Sequence, residues 1–181
     1  MNPLAHDIAR VLISEEDLQR RVAELGAQVS ADYCDTNPLL ICVLKGGYVF
    51  LADLTRALTI KHGIDFMAVS SYGDSATSSG VVRILKDLDR DITGRHILLV
   101  EDIIDTGHTI AYLLENLRVR GPASIRICTL LSKPSRREVR LDIDYIGFDI
   151  PNEFVIGYGL DFSENYRNLR FIGVLKPEVY S

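Results

Sequence analysis

The chain has 181 residues, of which 47% are hydrophobic and 25% charged, a composition typical of one folded globular domain. Its formal net charge of −5 and pI near 5.4 give no overall attraction for nucleic acid or an anionic membrane surface. No apolar run approaches the ~20 residues that span a bilayer, and no secretory signal pattern is present. We therefore expect a cytoplasmic protein that acts on a small molecule.

The predicted elements alternate between helix and strand along the first three quarters of the chain. An amphipathic helix follows the N-cap candidate Ser14, and a second helix follows the glycine turn at 46–47. A third helix is predicted at 109–119. Short apolar runs with strand character lie at 39–44, 64–72, 81–88, 96–102 and 124–132.

This alternation predicts a mainly parallel sheet with helices on both faces, an architecture that places ligands at the carboxyl ends of the strands. The last third of the chain differs, because its apolar runs at 144–151, 154–162 and 169–175 are short and no long helix separates them. We expect these strands to form a small additional subdomain.

The cysteines and histidines predict neither a disulfide framework nor a zinc site. Cys34, Cys42 and Cys128 are far apart and lack CxxC spacing, which favours reduced thiols. The four histidines lack the i, i+4 spacing that would bring two imidazoles to one metal ion.

The most informative stretch is "LLVEDIIDTGHTI" at 98–110, where an apolar run leads into a small loop and then a helix. Such a loop can bind phosphate through backbone amides. It is not a Walker loop, because no lysine follows a second glycine, and no GxGxxG is present. The stretch also carries Glu101, Asp102 and Asp105. The helix dipole could account for one carboxylate near a helix start, but hardly for three.

This stretch resembles the 5-phosphoribosyl 1-diphosphate motif of the phosphoribosyltransferases. Four further segments match the hypoxanthine-guanine branch of that family in the same order: "VLKGG" from 43, "SSYGDSATSSG" from 70, "LLSKP" from 130 and "FVIGYGLDFSENYRNL" from 154. The resemblance covers nearly the whole chain. It implies a type I fold, in which one domain spanning 1–181 has a five-stranded parallel sheet and a hood built from N-terminal and C-terminal segments.

The resemblance also implies roles for residues around the sugar and its phosphate. The backbone amides of 105–109, with the Thr106 and Thr109 hydroxyls, would hold the 5-phosphate; Gly107 and His108 lie within this loop. Glu101 and Asp102 would face the ribose hydroxyls and a Mg²⁺ ion, with Asp161 as a further ligand. Adjacent strand residues point to opposite faces, so both can reach the sugar only if the strand is ending there.

Other positions match residues that contact the base and the pyrophosphate. Asp105 would accept the purine N7 proton as N9 attacks the anomeric carbon, and Lys133 would donate to the 6-oxygen. Phe154 would stack on the base, while Val155 supplies main-chain contacts. The pyrophosphate would be bound by Lys45, Gly46 and Arg167, with a non-proline cis peptide between residues 44 and 45.

The implied reaction is Mg²⁺-dependent transfer of phosphoribosyl to hypoxanthine or guanine, giving IMP or GMP in purine salvage. The segment 71–80, with the pair Ser71-Tyr72, would close over the site and exclude water. Lys133 and Asp105 disfavour adenine and orotate as acceptors, and xanthine stays open. Residues near Val155 and Leu160 would tune the preference among oxopurines. The family implies a homodimer or homotetramer.

A different class of function is also conceivable, namely a regulatory protein that keeps the fold to sense the sugar diphosphate and binds RNA or DNA. The acidic balance and the complete set of acids, lysines and arginine weigh against this reading.

Overall fold

A six-stranded sheet lies at the centre of the computed structural model, which describes residues 6–71 and 82–180. The elements in chain order are β1 (Ile8–Ile13), α1 (Glu15–Asp32), β2 (Leu39–Leu44), α2 (Tyr48–Ala57), β3 (Gly63–Ser71), β4 (Val82–Lys86), β5 (His96–Ile104), α3 (His108–Arg118), β6 (Ser124–Ser132), β7 (Tyr145–Asp149), β8 (Val155–Ile156), β9 (Ile172–Leu175) and α4 (Pro177–Tyr180).

The order of strands in the central sheet is β4-β3-β2-β5-β6-β7. Strands β3, β2, β5, β6 and β7 run parallel, which confirms the predicted parallel sheet. Strand β4 pairs antiparallel with β3 and adds a sixth strand at one edge. The carboxyl ends of the parallel strands meet at one edge of the sheet, and the loops that follow β2, β5 and β6 begin there.

A second, three-stranded antiparallel sheet joins the two ends of the chain in the order β1-β9-β8. The sequence pattern did not predict β1. Its pairing with β9 has irregular register on both sides of the Arg10–Val11 step, and only Ile13 of the strand is buried. A strand with this irregularity lacks the alternation of buried and exposed residues on which sequence prediction depends.

Helices α1, α2 and α3 pack their apolar sides against the central sheet, and the sequence explains how α1 begins and packs. The Ser14 hydroxyl accepts a hydrogen bond from the Asp17 backbone N–H, so it caps the helix as predicted. Gly26 of α1 lies against Ala57 of α2, where a Cβ on Gly26 would come 2.5 Å from the Ala57 Cβ. The glycine therefore allows the close approach of these two helices.

The three cysteines are free thiols, as predicted. Cys42 and Cys128 are buried in β2 and β6, and burial raises the pKa of both thiols well above the usual range. Cys34 is exposed in the connection between α1 and β2. In the parts of the chain that the structure describes, no helix is long and apolar enough to cross a membrane.

Candidate active site

The loop between β5 and α3 forms a small cradle of about 110 Å³. Gly107 precedes the first turn of α3 with φ of +93°, a conformation that glycine adopts without steric cost, and no side chain caps the helix. The first amides of α3 are thus left for an anion. The cradle is lined by Glu101, Ile103, Ile104, Asp105, Thr106, Gly107, Thr109 and Ile110.

Glu101 and Asp102 lie on opposite faces of β5. We expected the strand to end at these residues, but this was wrong, because β5 continues to Ile104. Glu101 consequently lines the cradle on the α3 side. Asp102 lines a second cavity of about 350 Å³ on the other side of the strand.

Asp102 is buried, Glu101 is half-buried with its Oε2 atom shielded from solvent, and their environments raise the pKa values of both carboxyl groups. Burial raises the pKa of Asp102 to about 6, against hydrogen bonds from backbone amides such as that of Ile103. Burial, followed by the neighbouring charge of Asp102, raises the pKa of Glu101 well above its usual range. Among buried side-chain atoms of the described residues, Oε2 of Glu101 alone has no hydrogen-bond partner. A buried, unpartnered carboxylate oxygen is available to a ligand.

The second cavity lies where β2 ends. The backbone of the loop that follows β2 comes close to Asp102. The Leu44-Lys45 peptide is cis, as the resemblance implied. A Cβ placed on Gly46 would lie 1.6 Å from Oδ2 of Asp102, so only glycine is compatible with this contact. The remaining lining side chains include Leu160, Asp161 and the charged residues described next.

Four charged side chains neutralise one another at the mouth of this second cavity. Lys45 Nζ lies 2.9 Å from Oε2 of Glu164. Arg167 Nη2 lies 2.8 Å from Oδ1 of Asp161 and 3.4 Å from Oε1 of Glu164. An anionic ligand would have to replace these carboxylates to bind Lys45 and Arg167.

Asp105 lies between the cradle and two cations from the segment after β6. Arg136 Nε donates to Oδ1 of Asp105 at 3.1 Å, and Lys133 Nζ lies 3.7 Å from Oδ2. Lys133 is only 8% exposed, so it is not the solvated surface lysine that the surrounding polar sequence could suggest. The Lys133 ammonium and the Asp105 carboxylate thus lie side by side after the ends of β6 and β5.

The segment 133–139 is bonded along its length to the loop that carries Asp105. The backbone oxygen of Thr106 accepts hydrogen bonds from the amides of Glu138 and Val139. Arg137 donates to the backbone oxygens of Ile104 and Asp105. The His108 ring lies 2.9 Å from the Glu138 carboxylate and points to this segment. Sequence reasoning missed these contacts, because no spacing pattern links residues about 30 positions apart.

Phe154 and Val155 differ in their exposure. Val155 is buried in β8, paired with Val174 of β9, whereas Phe154 is 39% exposed. Phe154 packs edge-on against Phe162 and stacks with Tyr180, with ring centroids 5.0 Å apart in the stacked pair. An exposed aromatic face held by two other rings suits a stacking contact with a planar ligand.

Comparison with known proteins agrees with this geometry. A phosphoribosyl transferase domain model matches residues 14–163. The chain belongs to the phosphoribosyltransferase family.

Relatives of high similarity place it on the hypoxanthine-guanine branch of the phosphoribosyltransferases, as the motifs predicted. A hypoxanthine-guanine phosphoribosyltransferase of Bacillus subtilis is 55% identical over 98% of both chains. One of Mycobacterium avium is 55% identical over 96% of this chain and 89% of the relative. The crystal structure of a hypoxanthine phosphoribosyltransferase from Staphylococcus aureus superposes with a TM-score of 0.96 at 46% identity, covering 100% of this chain and 99% of that one.

Within this phosphoribosyltransferase framework, most of the predicted residues lie around the two cavities, and a few predictions stay open. The expected closing segment falls largely on residues 72–81, outside the described residues. Within 6–71 and 82–180, no group of three or more His, Cys, Asp or Glu side chains is arranged to hold a metal ion by itself. A Mg²⁺ ion held by one or two carboxylates together with substrate oxygens does not need such a group.

Proposed function

We propose that this enzyme transfers the 5-phosphoribosyl group from 5-phosphoribosyl 1-diphosphate to hypoxanthine or guanine, giving IMP or GMP and pyrophosphate. The observation that carries the proposal is the pairing of Lys133 with Asp105 beside the phosphate cradle, with Nζ 3.7 Å from Oδ2. A 6-oxopurine presents its 6-oxygen and N7 on the same edge. Lys133 donates to that oxygen while Asp105 accepts the N7 proton.

This pairing also discriminates among bases. Adenine presents an amino group in place of the 6-oxygen, so the nearly buried Lys133 ammonium would lose its acceptor. Leaving a buried charged donor unpaired is costly, and sites of this kind reject the wrong base strongly. Phe154 provides the stacking face and Val155 the main-chain contacts.

The sugar diphosphate is bound at both cavities. The amides of 105–109 and the hydroxyls of Thr106 and Thr109 hold the 5-phosphate in the cradle. Lys45, the Gly46 backbone and Arg167 bind the pyrophosphate after Glu164 and Asp161 release the two cations. Asp105 takes the proton of the base, which we expect to accelerate the reaction about 10²- to 10⁴-fold.

A Mg²⁺ ion is compatible with the carboxylates present. Glu101 has a buried oxygen without a partner on the cradle side of β5, whereas Asp102 and Asp161 line the second cavity. Because β5 continues past them, Glu101 and Asp102 approach a ligand from opposite sides of the strand. We propose that the sugar diphosphate binds across both cavities, so that Glu101 from one side and Asp102 from the other bind the ribose hydroxyls and Mg²⁺, with Asp161 as a further ligand. When bound, Mg²⁺ neutralises charge on the departing pyrophosphate.

The proposal includes the organisation of the protein. We propose one domain over 1–181, with the β1-β9-β8 sheet as its hood, that acts in the cytoplasm as a homodimer or homotetramer. A role of the C-terminal region in oligomeric state and enzymatic activity is the subject of a solved structure of Trypanosoma cruzi hypoxanthine phosphoribosyl transferase, which shares 44% identity with this chain at a TM-score of 0.90. Sedimentation equilibrium will give the oligomeric state of this protein.

The direct test is a spectrophotometric assay with the sugar diphosphate, Mg²⁺ and each of hypoxanthine, guanine, xanthine and adenine. We expect turnover with hypoxanthine or guanine and none with adenine. A measurement without Mg²⁺, in excess chelator, tests the metal requirement. Turnover with adenine at the rate of the oxopurines would contradict the assignment of Lys133.

A further inference from the structure

The Asp105 side chain lies near two kinds of hydrogen-bond donor: the backbone amides at the start of α3 and the cations Lys133 and Arg136. A carboxylate near a helix start is attracted by the free amides there, and Asp105 lies two residues before Gly107, the N-cap residue of α3. A cap formed by Asp105 would occupy the amides that bind the 5-phosphate. In the structure Asp105 does not form this cap, and its carboxylate lies instead against Lys133 and Arg136.

The two cations contact different oxygens of this carboxylate. Arg136 donates its Nε hydrogen to Oδ1 at 3.1 Å, whereas Lys133 lies near Oδ2. The neighbouring Arg137 donates hydrogen bonds to the backbone of the loop and to Ser132, and not to the Asp105 carboxylate. Arg136 thus fixes the rotation of the carboxylate and leaves Oδ2 on the Lys133 side.

We propose that Arg136 is a positioning residue for the transfer reaction: by holding Oδ1 it keeps Asp105 directed at the purine and away from the phosphate-binding amides. This inference rests on the proposed function and deepens it. Ionised carboxylates have two oxygens and about four acceptor positions, so Oδ2 can accept the N7 proton while Oδ1 stays bound to Arg136. The two anions of the reaction, carboxylate and phosphate, are thereby kept apart.

The expected effect is modest, because the side chains of Arg136 and Asp105 are 46% and 40% exposed. Exposed ion pairs are weak, and water partly replaces a lost partner. In Arg136→Gln we expect a kcat about fivefold lower and a Kd for the sugar diphosphate about threefold higher. Arg136→Lys, which keeps the charge, should recover part of both. Arg140→Gln removes the same charge from an exposed site four residues along, and it should leave both values unchanged.

The background of Asp105→Ala separates this role from direct attraction of the phosphate by Arg136. Alanine can neither cap α3 nor accept a proton, so Arg136→Gln should then have no further effect on sugar-diphosphate binding, measured by calorimetry. If the weakening persists in that background, Arg136 acts on the ligand itself and the proposal is wrong. Equal kcat and Kd in Arg136→Gln and the wild-type protein would also overturn it.

Two controls make these outcomes unambiguous. Thermal unfolding should show the same midpoint for Arg136→Gln and the wild-type protein, because the substitution is at an exposed position. If the wild-type protein converts no oxopurine, the proposed function fails. If it is active and Arg136→Gln behaves as wild type, only the positioning role fails.

Discussion

The two proposed anion sites at the strand ends are built in opposite ways. The cradle after β5 offers backbone amides, and hydrogen bonds from the segment 133–139 stabilise its loop. The cavity after β2 offers the side chains of Lys45 and Arg167, which are already paired with carboxylates. The first site is preorganised, whereas the second must exchange partners when a ligand binds. A phosphate that stays on the sugar fits the first arrangement, and a pyrophosphate that leaves fits the second.

The largest expected effect concerns Asp105, the proposed proton acceptor at the edge of the first site. Asp105→Asn should lower turnover at least tenfold, because the amide cannot take the N7 proton. Affinity for the sugar diphosphate should change little, since Arg136 can still donate to the amide oxygen. Steady-state kinetics and calorimetry measure the two quantities. Unchanged turnover would contradict the assignment, and exposed Asp142→Asn is the matched control.

The second prediction concerns pH and the buried carboxyl group beneath Gly46. The Asp102 pKa is raised from 3.8 to about 6, so the native protein binds a proton there more tightly than the unfolded chain. The protonated Asp102 carboxyl group therefore makes its full contribution to the free energy of unfolding below pH 4. This contribution is lost as the pH rises through 6. The difference between the two pKa values corresponds to roughly 3 kcal/mol in the free energy of unfolding.

Asp102→Asn mimics the protonated group, so in metal-free buffer it should raise the unfolding midpoint at pH 8 and have almost no effect at pH 4. Asp149→Asn, at an exposed position that ends β7, serves as the control and should show no such difference. A midpoint for Asp102→Asn that is below wild type at pH 8 would show that the buried charge is compensated.

A third prediction tests the preorganised backbone of the cradle. Gly107→Ala places a Cβ at φ +93° and 2.9 Å from Cδ1 of Leu141, so the loop must change conformation. Positive φ costs a non-glycine residue about 1–2 kcal/mol, and we expect affinity for the sugar diphosphate to fall about tenfold. Gly94→Ala is the control, because φ is +69° but nothing lies within 4 Å of its Cβ. Equal losses of affinity in both variants would argue against a specific role of the loop.

The smallest effect is expected at the second site. Glu164 competes with an incoming anion for Lys45 and Arg167, so Glu164→Gln should tighten binding of Mg²⁺-pyrophosphate about two- to threefold. Isothermal titration at low ionic strength measures this change. The exposed Glu16→Gln, on α1, should bind pyrophosphate as wild type does. Weaker binding in Glu164→Gln would mean that Glu164 helps to orient the two cations.

The sequence was sufficient for the parts of the fold that follow local periodicity. The buried strands β2, β5 and β6 and the three long helices have strong apolar patterns, and they were predicted nearly to their bounds. Strand β1 was missed because an irregular, mostly exposed strand has no such pattern. The end of β5 was placed two residues too early, because Glu101 and Asp102 resemble loop residues although both belong to the strand.

The candidate site divides in the same way. The contiguous motif at 98–110 predicted which residues lie around the cradle, because these are neighbours in sequence. The cis peptide between residues 44 and 45 was implied by the family resemblance and not by the local sequence. Contacts between distant segments could not be predicted. Nothing in "PSRREVR" indicates that Arg136 contacts the Asp105 carboxylate while Arg137 contacts the backbone. This difference between the contacts of Arg136 and Arg137 depends on tertiary packing alone.

The placement of the cysteines has a practical consequence for optical measurements. Cys34 lies at the amino ends of the parallel strands, opposite the candidate site, and it is exposed, while Cys42 and Cys128 are buried thiols with raised pKa. Maleimide reagents attack the accessible thiolate, so at neutral pH they should label Cys34 selectively. A fluorophore attached there would report rotational diffusion, and hence assembly of the protein, without a substitution and without entering the pocket.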